Sequence, residues 1–305
     1  MHAAITYRRV KKKDILEIIN LFKTIFKKNI SVEFYNWRYL TKNFYNSFVA
    51  IKNDKIIAHV GYVKYRYYKK KIIFSRHSSF VSFEFRRKKI YTKLLEYSFS
   101  ILKKKTNFIL AWPNELNLKN NINDKKFFLI QKYFLYRKIH KKIIKFDTVK
   151  LLKSSLSKIS MKKDNSVFIK DNKYILWRFF SYKKNNFYQL TFKSIEKSLI
   201  ILQKIKFKNK TLFNIADYFD NNNNKILEKL FIYFNKFQIN SQILVPSNNK
   251  RFISKVMKYD FKKDNYIFNI GIYTLKKDDK LKKILINKIK NNIKIADTDV
   301  FIETI

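Results

Sequence analysis

The stretch Ser79–Leu95 (SFVSFEFRRKKIYTKLL) contains residue types that bind anionic ligands. An alternating apolar segment precedes four consecutive basic residues, and an apolar stripe with helical spacing begins at Ile90. Backbone N–H groups at the start of a helix favour a bound anion, and basic side chains add charge-assisted contacts to phosphate. The spacing therefore predicts a phosphate-binding turn between a strand and a helix, formed by Arg86, Arg87, Lys88 and Lys89.

Hydrophobic periodicity predicts the elements that would position this turn. In the first half it predicts strands at 4–9, 47–52, 55–68, 72–85 and 108–112, and helices at 15–26, 34–40, 90–104 and 125–132. In the second half it predicts strands at 211–219 and 242–245, with a helix at 225–236. Asp14 and Glu17 are expected to cap the first helix. Asn53-Asp54 is expected to form a hairpin turn.

The two halves of the sequence share short motifs in the same order. Phe34–Arg38 (FYNWR) is followed 140 positions later by Tyr174–Arg178 (YILWR), and Pro113 and Pro246 each follow a buried strand. An aromatic-rich sequence can produce such matches by chance, but Trp and Pro are rare here. The pattern favours two tandem domains, 1–146 and 147–305, with the boundary in the polar stretch 146–172. Each is expected to be α/β (α+β), with a mixed, mostly antiparallel sheet flanked by helices.

The composition excludes several classes of function. The net charge of +46 comes mainly from lysine, and Lys, Asn, Ile, Phe and Tyr are abundant while Gly (2) and Pro (2) are scarce. This is typical of an AT-rich genome, so no specific nucleic-acid partner is expected. With no cysteine and four scattered histidines, neither disulfides nor a metal site is expected. No signal peptide or membrane span is visible, which indicates a cytoplasmic protein. The oligomeric state does not follow from the sequence.

At the basic turn the sequence resembles the GNAT acyltransferase superfamily. Its cofactor loop, Arg/Gln-x-x-Gly-x-Gly/Ala, lies between the fourth strand and the following helix. Arg86 takes the first position, Lys89 the first glycine and Tyr91 the last. Three further segments resemble larger, tandem members of the family: Trp37-Arg38-Tyr39, Pro113-Asn114-Glu115 and Asp297–Phe301 (DTDVF).

The resemblance implies an N-acyltransferase, with acetyl as the expected acyl group, that uses acetyl-CoA and needs no metal. The acceptor would be a small-molecule or sugar amine that attacks the thioester directly. Glu115 would be the general base and Tyr133 the acid, although each also has a structural interpretation. The cofactor would contact the pyrophosphate turn and the strand before it through Val81, Phe83, Arg86, Arg87, Lys88, Lys89, Ile90, Tyr91 and Asn114.

Two alternatives remain open at this stage. Fem-type peptidyltransferases are also paired GNAT-like domains, and the positive charge would suit their aminoacyl-tRNA donor. The second alternative is a degenerate, non-enzymatic GNAT-like binding protein, because Lys89 replaces a glycine that allows close backbone approach. In the second half the corresponding loop, Asp217–Asn224 (DYFDNNNN), has two carboxylates and no arginine. We therefore expect that half to bind no CoA.

Overall fold

The structure is a computed structural model. It describes residues 4–40, 45–67, 69, 71–124, 126–140, 149–150, 168–169, 172–182, 186–190, 199–207, 210–219 and 225–292. The chain divides into two units, and each draws on both halves of the sequence. The first comprises Met1–Pro113, Asn117–Leu129 and Gly271–Lys283, and the second Asn114–Leu116, Ile130–Ile270 and Ile284–Ile305.

The elements of the first half follow the predicted order up to residue 112. The strands are β1 (Thr6–Arg9), β2 (Tyr45–Lys52), β3 (Lys55–Tyr67), β4 (Lys71–Val81) and β5 (Phe108–Ala111). The helices are α1 (Ile15–Phe26), α2 (Val32–Tyr35) with a π-helical turn at Asn36–Leu40, α3 (Ile90–Leu102) and α4 (Glu115–Ile122). The predicted hairpin is confirmed, because Asn53 and Asp54 both have positive φ, 48° and 57°, as a type I′ turn requires.

The rest of the chain contributes a second set of elements. The strands are β6 (Phe127–Lys138), β7 (Val149–Lys150), β8 (Phe187–Leu190), β9 (Leu199–Phe207), β10 (Lys210–Phe219), β11 (Ser241–Pro246) and β12 (Lys262–Thr274). The helices are α5 (Asn172–Ile175) with a π-helical turn at Leu176–Phe180, α6 (Lys225–Lys236), α7 (Lys250–Lys258) and α8 (Asp279–Asn292).

Strand order is the same in the two units. In the first, β1-β2-β3-β4-β5 is completed by Gly271–Thr274 of β12, and only β4 and β5 are parallel. In the second, β7-β8-β9-β10-β11 is completed by β6, and only β10 and β11 are parallel. Each sheet therefore takes a strand from the far half of the sequence. The prediction of a mixed α/β fold with mostly antiparallel sheets flanked by helices is confirmed.

A short helix that ends in a π-helical turn occurs once in each half. The bounds of α2 and its turn recur in α5 and its turn at the offset of 140 positions. Trp37 packs on Phe34 with ring centroids 5.6 Å apart, and Trp177 packs on Tyr174 at 5.8 Å. Both tryptophans are buried. The shared geometry supports the predicted repeat.

The core of the first unit holds α3 firmly against the sheet. Ile90, Leu94 and Leu102 are buried against Phe48 and Phe74 of the strands. Burial of each such side chain contributes about 1.5–3 kcal/mol. The start of α3, which follows the basic turn, is therefore fixed relative to β4.

Some predictions fail or lie outside the described residues. The helix predicted at 125–132 is wrong, because Phe127 begins strand β6, whose later part, Tyr133–Lys138, pairs with β11. The strand predicted at 72–85 ends at Val81 and is followed by a 3-10 turn at Phe83–Phe85. Asp14 precedes α1, but its carboxylate binds Arg8 and the Lys11 N–H instead of capping the helix. Most of 146–172 and all of Asp297–Phe301 lie outside the described residues, so the domain limits 1–146 and 147–305 stay predictions.

Candidate functional site

Strands β4 and β5 part at the centre of the first unit. They pair in parallel only as far as Arg76 and Ala111, whereas β4 stays paired with β3 up to Val81. Within the described part of the chain, the last residues of β4 therefore have no β5 neighbour on that side. An unpaired strand edge offers backbone hydrogen bonds to an extended ligand.

An extra residue in β4 lies at this point of separation. Gly61 faces Ser78 and Tyr62 faces Arg76, so β4 contains one residue more than β3 here, His77. Such a bulge bends the strand and interrupts the ladder locally.

The turn after β4 has an unusual backbone. Arg87 and Lys89 both have positive φ, 63° and 58°, whereas Lys88 between them does not. A left-handed residue other than glycine costs roughly 1–2 kcal/mol. Alternation of left- and right-handed residues turns successive N–H groups towards one side and forms a concave anion site. The turn therefore has the backbone shape of an anion-binding nest.

Helix α3 begins at this turn without a side-chain cap. Its N-cap residue is Lys89, which makes no capping hydrogen bond and has no acceptor atom. The first N–H groups of a helix have no intrahelical partner and carry a partial positive charge. The four basic side chains of the turn are exposed, and the Arg86 guanidinium lies 4.0 Å from the centre of the Phe83 ring. An anion could supply the missing cap.

Arg76 is buried on the α3 side of the sheet. It is 7% exposed, its Nη1 has no hydrogen-bond partner in the described structure, and its guanidinium lies 5.4 Å from the centre of the Tyr273 ring. Burial lowers the pKa of Arg76, but the phenols of Tyr91, Tyr273 and Tyr62 outweigh it and raise the pKa above its ordinary value. The guanidinium is charged and its electrostatic neighbours are phenols.

Two of these phenols have partners of their own. The Tyr62 hydroxyl lies 2.6 Å from Ser98 Oγ on α3, and the Tyr273 hydroxyl donates to Asn121 Oδ1 on α4. These bonds fix both rings beside Arg76. The guanidinium is therefore held between α3 and α4, where β4 and β5 part.

The side chains of Ser75 and His77 occupy the other face of β4. Trp112, just beyond β5, donates from Nε1 to Ser75 Oγ at 2.7 Å, and its ring stacks on His77 with centroids 6.2 Å apart. The Tyr65 hydroxyl lies 3.4 Å from His77 Nε2. His77 is half-buried, and these contacts hold it at the point of separation.

A second histidine, His59, is fully buried beneath α2. Its Nε2 lies 3.0 Å from the Tyr35 hydroxyl and its Nδ1 lies 3.4 Å from Ser78 Oγ. Burial lowers the pKa of His59 to about 3. The imidazole is neutral at physiological pH and has a structural role.

The structure brings some of the candidate cofactor residues together and separates others. Arg86, Arg87, Lys88 and Lys89 form the turn, while Ile90 and Tyr91 open α3, with Ile90 buried and Tyr91 half-buried. Val81 is the last residue of β4 and pairs with Ala58. Phe83 lies in the 3-10 turn with its side chain exposed, so it does not extend the strand.

The candidates that follow β5 are grouped with the second unit. Asn114 precedes α4, and Glu115 is its first residue. Both side chains are exposed. Tyr133 lies within β6 of the second unit, is fully buried and donates its O–H to the Ile289 carbonyl. A hydroxyl held in this way serves packing, so the structure gives no support for Tyr133 as an acid.

Sequence reasoning did not single out Arg76. The signal was a charged residue at a buried position within an apolar strand segment, Ile72–Phe80 (IIFSRHSSF). The position of His77 in a bulge depends on the pairing of β4 with β3, which no local sequence pattern indicates. In the described ranges, no helix is long and apolar enough to cross a bilayer. No group of three or more His, Asp or Glu side chains there could hold a metal ion.

Comparisons with known proteins agree with this geometry. Residues 6–118 match the family model of the acetyltransferase (GNAT) domain. No curated protein matches the sequence.

Among solved structures, the chain is similar to a GCN5-related N-acetyltransferase from Anabaena variabilis, at 9% identity and a TM-score of 0.67 over 90% of this chain and 73% of that one. It is also similar to a conserved Enterococcus faecalis protein described as a probable N-acyltransferase, at 10% identity and a TM-score of 0.65 over 90% and 73% of the chains. A third is a GCN5-related N-acetyltransferase from Sphaerobacter thermophilus, at 8% identity and a TM-score of 0.54 over 90% and 96%. At these identities the likeness shows a shared fold.

Proposed function

We propose, on the premise that residues 6–118 match the family model of the acetyltransferase (GNAT) domain, that this chain is a CoA-dependent N-acyltransferase whose donor site lies in the first unit. The reaction would move an acyl group, acetyl in the simplest case, from a CoA thioester to an amine acceptor. The observation that carries the proposal is the turn Arg86–Lys89, a basic, left-handed backbone that leads into an uncapped helix.

The residues of the turn fit a diphosphate. The N–H groups from Arg87 to Tyr91 would bind its oxygens, and the exposed guanidinium of Arg86 would add a charge-assisted contact. Lys89 replaces the family's glycine but adopts the left-handed backbone that glycine favours. The substitution therefore preserves the backbone shape of the site.

The free edge of β4 fits the pantetheine arm. Backbone groups from Ser78 to Val81 have no β5 partner among the described residues and would pair with the amides of the arm. A backbone N–H of this strand would polarise the thioester oxygen, which is electrostatic stabilisation of the developing oxyanion. The CoA thioester supplies the activated acyl carbon.

The acceptor amine attacks this carbon directly, so no nucleophile of the protein is required. The amine must first lose a proton, and for this step we propose Glu115, an exposed carboxylate at the start of α4. The proposed acceptor is a small-molecule or sugar amine.

For the second unit we propose a GNAT-like domain that binds no cofactor. The common strand order and the π-helical turns at the 140-residue offset support a repeat. The predicted loop starts with Asp217, which the structure places within β10 and buries. The sequence that follows, Asp220–Asn224, has a carboxylate and no arginine, which disfavours a diphosphate because like charges repel.

Isothermal titration of the full chain with acetyl-CoA tests the proposal. We expect binding in the micromolar to millimolar range, and Arg86→Ala should weaken it about tenfold because a charge-assisted contact to phosphate is lost. Arg251→Ala, which removes an exposed arginine from α7, is the matched control and should bind as the parent does.

No binding at millimolar acetyl-CoA would refute the proposal. Aminoacyl transfer from charged tRNA without acetyl-CoA binding would instead indicate the Fem-type alternative. If Arg86→Ala and Arg251→Ala weakened binding equally, the turn would not be the diphosphate site.

A further inference from the structure

Arg76 is a buried cation for which the described residues of the first unit supply no anionic partner. It is 7% exposed and its Nη1 has no hydrogen-bond partner in the described structure. The groups that influence its charge are the phenols of Tyr62, Tyr91 and Tyr273, and the guanidinium also forms a hydrogen bond with the Tyr273 hydroxyl. An uncompensated buried charge is strongly unfavourable, so the protein retains this arginine at a cost in stability. Such a group is suited to a ligand that brings the missing negative charge.

Arg76 lies at one end of the free edge of β4 and the basic turn follows the other end. Val81 lies five positions after Arg76. At about 3.3 Å per residue, the strand between their Cα atoms spans roughly 16 Å. The two cationic sites are therefore too far apart to bind the same diphosphate. A donor whose diphosphate occupies the turn, and whose arm follows β4, would bring its acyl end towards Arg76.

We propose that Arg76 binds a carboxylate on the acyl group, so that the donor is the CoA thioester of a dicarboxylic acid. This inference rests on the proposed acyltransferase function and specifies its donor. A planar guanidinium can bind a carboxylate through two parallel hydrogen bonds, whereas an acetyl group would leave the Arg76 charge uncompensated.

The chemistry balances without a further reactant. The amine nitrogen forms the new amide bond to the thioester carbon while the carbon–sulfur bond breaks. The proton lost by the amine is transferred through the base to the departing thiolate. The distal carboxylate keeps its charge throughout and remains paired with Arg76.

The test compares CoA esters that differ mainly in the distal carboxylate. Malonyl-CoA is paired with propionyl-CoA, and glutaryl-CoA with valeryl-CoA, so that chain length is matched within each pair. For the full wild-type chain, isothermal titration should show the carboxylated ester binding about tenfold or more tightly in at least one pair. Arg76→Met should bind the two members of each pair alike.

Two further variants distinguish loss of the charge at Arg76 from loss of an arginine elsewhere on the protein. Arg9→Met removes an exposed arginine from β1 and should keep the preference, whereas Arg76→Lys should keep part of it. Without ligand, Arg76→Met should unfold at the same temperature as wild type or higher, because no buried anion is left unpaired and the Tyr273 hydroxyl keeps its hydrogen bond to Asn121. A marked fall in that temperature, or failure to fold, would mean a structural role for Arg76 and would overturn the inference.

Equal binding of both members of each pair by the wild type would also overturn it, as would a preference that survives in Arg76→Met. If no CoA ester binds, the proposed acyltransferase function is refuted, but the carboxylate site can still be tested with glutarate alone. A glutarate-induced rise in the unfolding temperature of the wild type, absent in Arg76→Met, would support the site. No rise would overturn it.

Discussion

Strands β4 and β10 occupy corresponding positions in the two sheets. They differ in the hydrogen bonding of the polar side chains close to an irregularity in each strand. Each strand has a register skip, at His77 in β4 and between Ile215 and Asp217 in β10. Next to the skip in β4, Arg76 is buried among phenols and Nη1 has no described partner.

Near the skip in β10, amide side chains bond to one another across neighbouring strands. Asn214 donates to Gln203 Oε1 at 3.0 Å, and Gln242 donates to Asn214 Oδ1. Arg137 continues the row by donating to Gln242 Oε1 at 3.0 Å, and it also forms an ion pair with Asp264. The polar side chains of this row in the second unit thus bond to one another. The corresponding strands of the two units therefore differ in how the polar side chains near the bulge are paired.

The largest effect is expected from replacing the two tryptophans of the repeat. Trp37→Ala and Trp177→Ala should each destabilise the protein by about 3–5 kcal/mol, because each removes a buried indole at the same point of a π-helical turn. Urea unfolding followed by circular dichroism would measure the loss. Costs that differ by more than about 2 kcal/mol would show that the two turns are not equivalent in energy.

The second test breaks the amide row. Asn214→Leu should cost about 2–5 kcal/mol, since it leaves the Gln203 oxygen and the Gln242 amide buried without partners. The matched change in the first unit, Arg76→Met, should cost nothing. If the Asn214 variant were as stable as the parent in thermal unfolding, the row would not stabilise the second unit and the comparison would fail.

Acid should lower the stability of the first unit through His59, because the corresponding position of the second unit cannot titrate. The residue 140 positions after His59 is Leu199, which is also buried but cannot titrate. The pKa of His59 is lowered from its ordinary value of 6.5 to about 3, so its contribution to stability is complete above about pH 6.5. As the pH falls from there towards 3, unfolding becomes easier by up to about 1.4 kcal/mol per pH unit.

Denaturant unfolding at pH 7, 5 and 4 would measure this slope. His59→Gln keeps hydrogen-bonding atoms and should flatten the slope over that range. Asp14 also contributes acid sensitivity, because its contact with Arg8 lowers its pKa below the ordinary value of 3.8, but its effect lies at lower pH. An unchanged slope in His59→Gln would show that the imidazole is not the source.

The smallest expected effect concerns the lysine at the glycine position. Lys89→Gly should stabilise the protein by up to about 1 kcal/mol, because φ of 58° is strained for lysine. Lys27, at the end of α1, has φ of 56°, so Lys27→Gly is the matched control and should give a similar gain in thermal unfolding. Only Lys89→Gly should also change acetyl-CoA affinity, by a few-fold at most. A loss beyond tenfold would make the Lys89 ammonium itself a ligand of the diphosphate.

Local signals in the sequence predicted most of the first unit. The turn at Asn53-Asp54 follows from residues that tolerate positive φ, and α3 follows from its apolar stripe. The apolar residues Phe127 and Ile130 of the segment 125–132 fit either a helix or a strand. Phe127 begins β6, and the later part of that strand, Tyr133–Lys138, pairs with β11, which lies more than a hundred residues away in the sequence.

Only part of the candidate site could be predicted. The basic turn is a continuous run, so Arg86 and Lys89 were found directly. The surroundings of the buried Arg76 guanidinium depend on Tyr62, Tyr91 and Tyr273. These residues come from three elements and from both ends of the sequence. No local pattern indicates that these rings surround one guanidinium without a carboxylate.

The exchange of β6 and β12 also has a consequence for biosynthesis. The first unit begins to form as soon as its early strands leave the ribosome, but its sheet lacks Gly271–Thr274 until the intervening second set of elements has been translated. At about 5–20 residues per second, the edge of β5 would wait on the order of ten seconds. An exposed strand edge invites wrong pairing during that time. A gene cut at the repeat boundary would produce two fragments, each of which lacks the strand that closes its sheet.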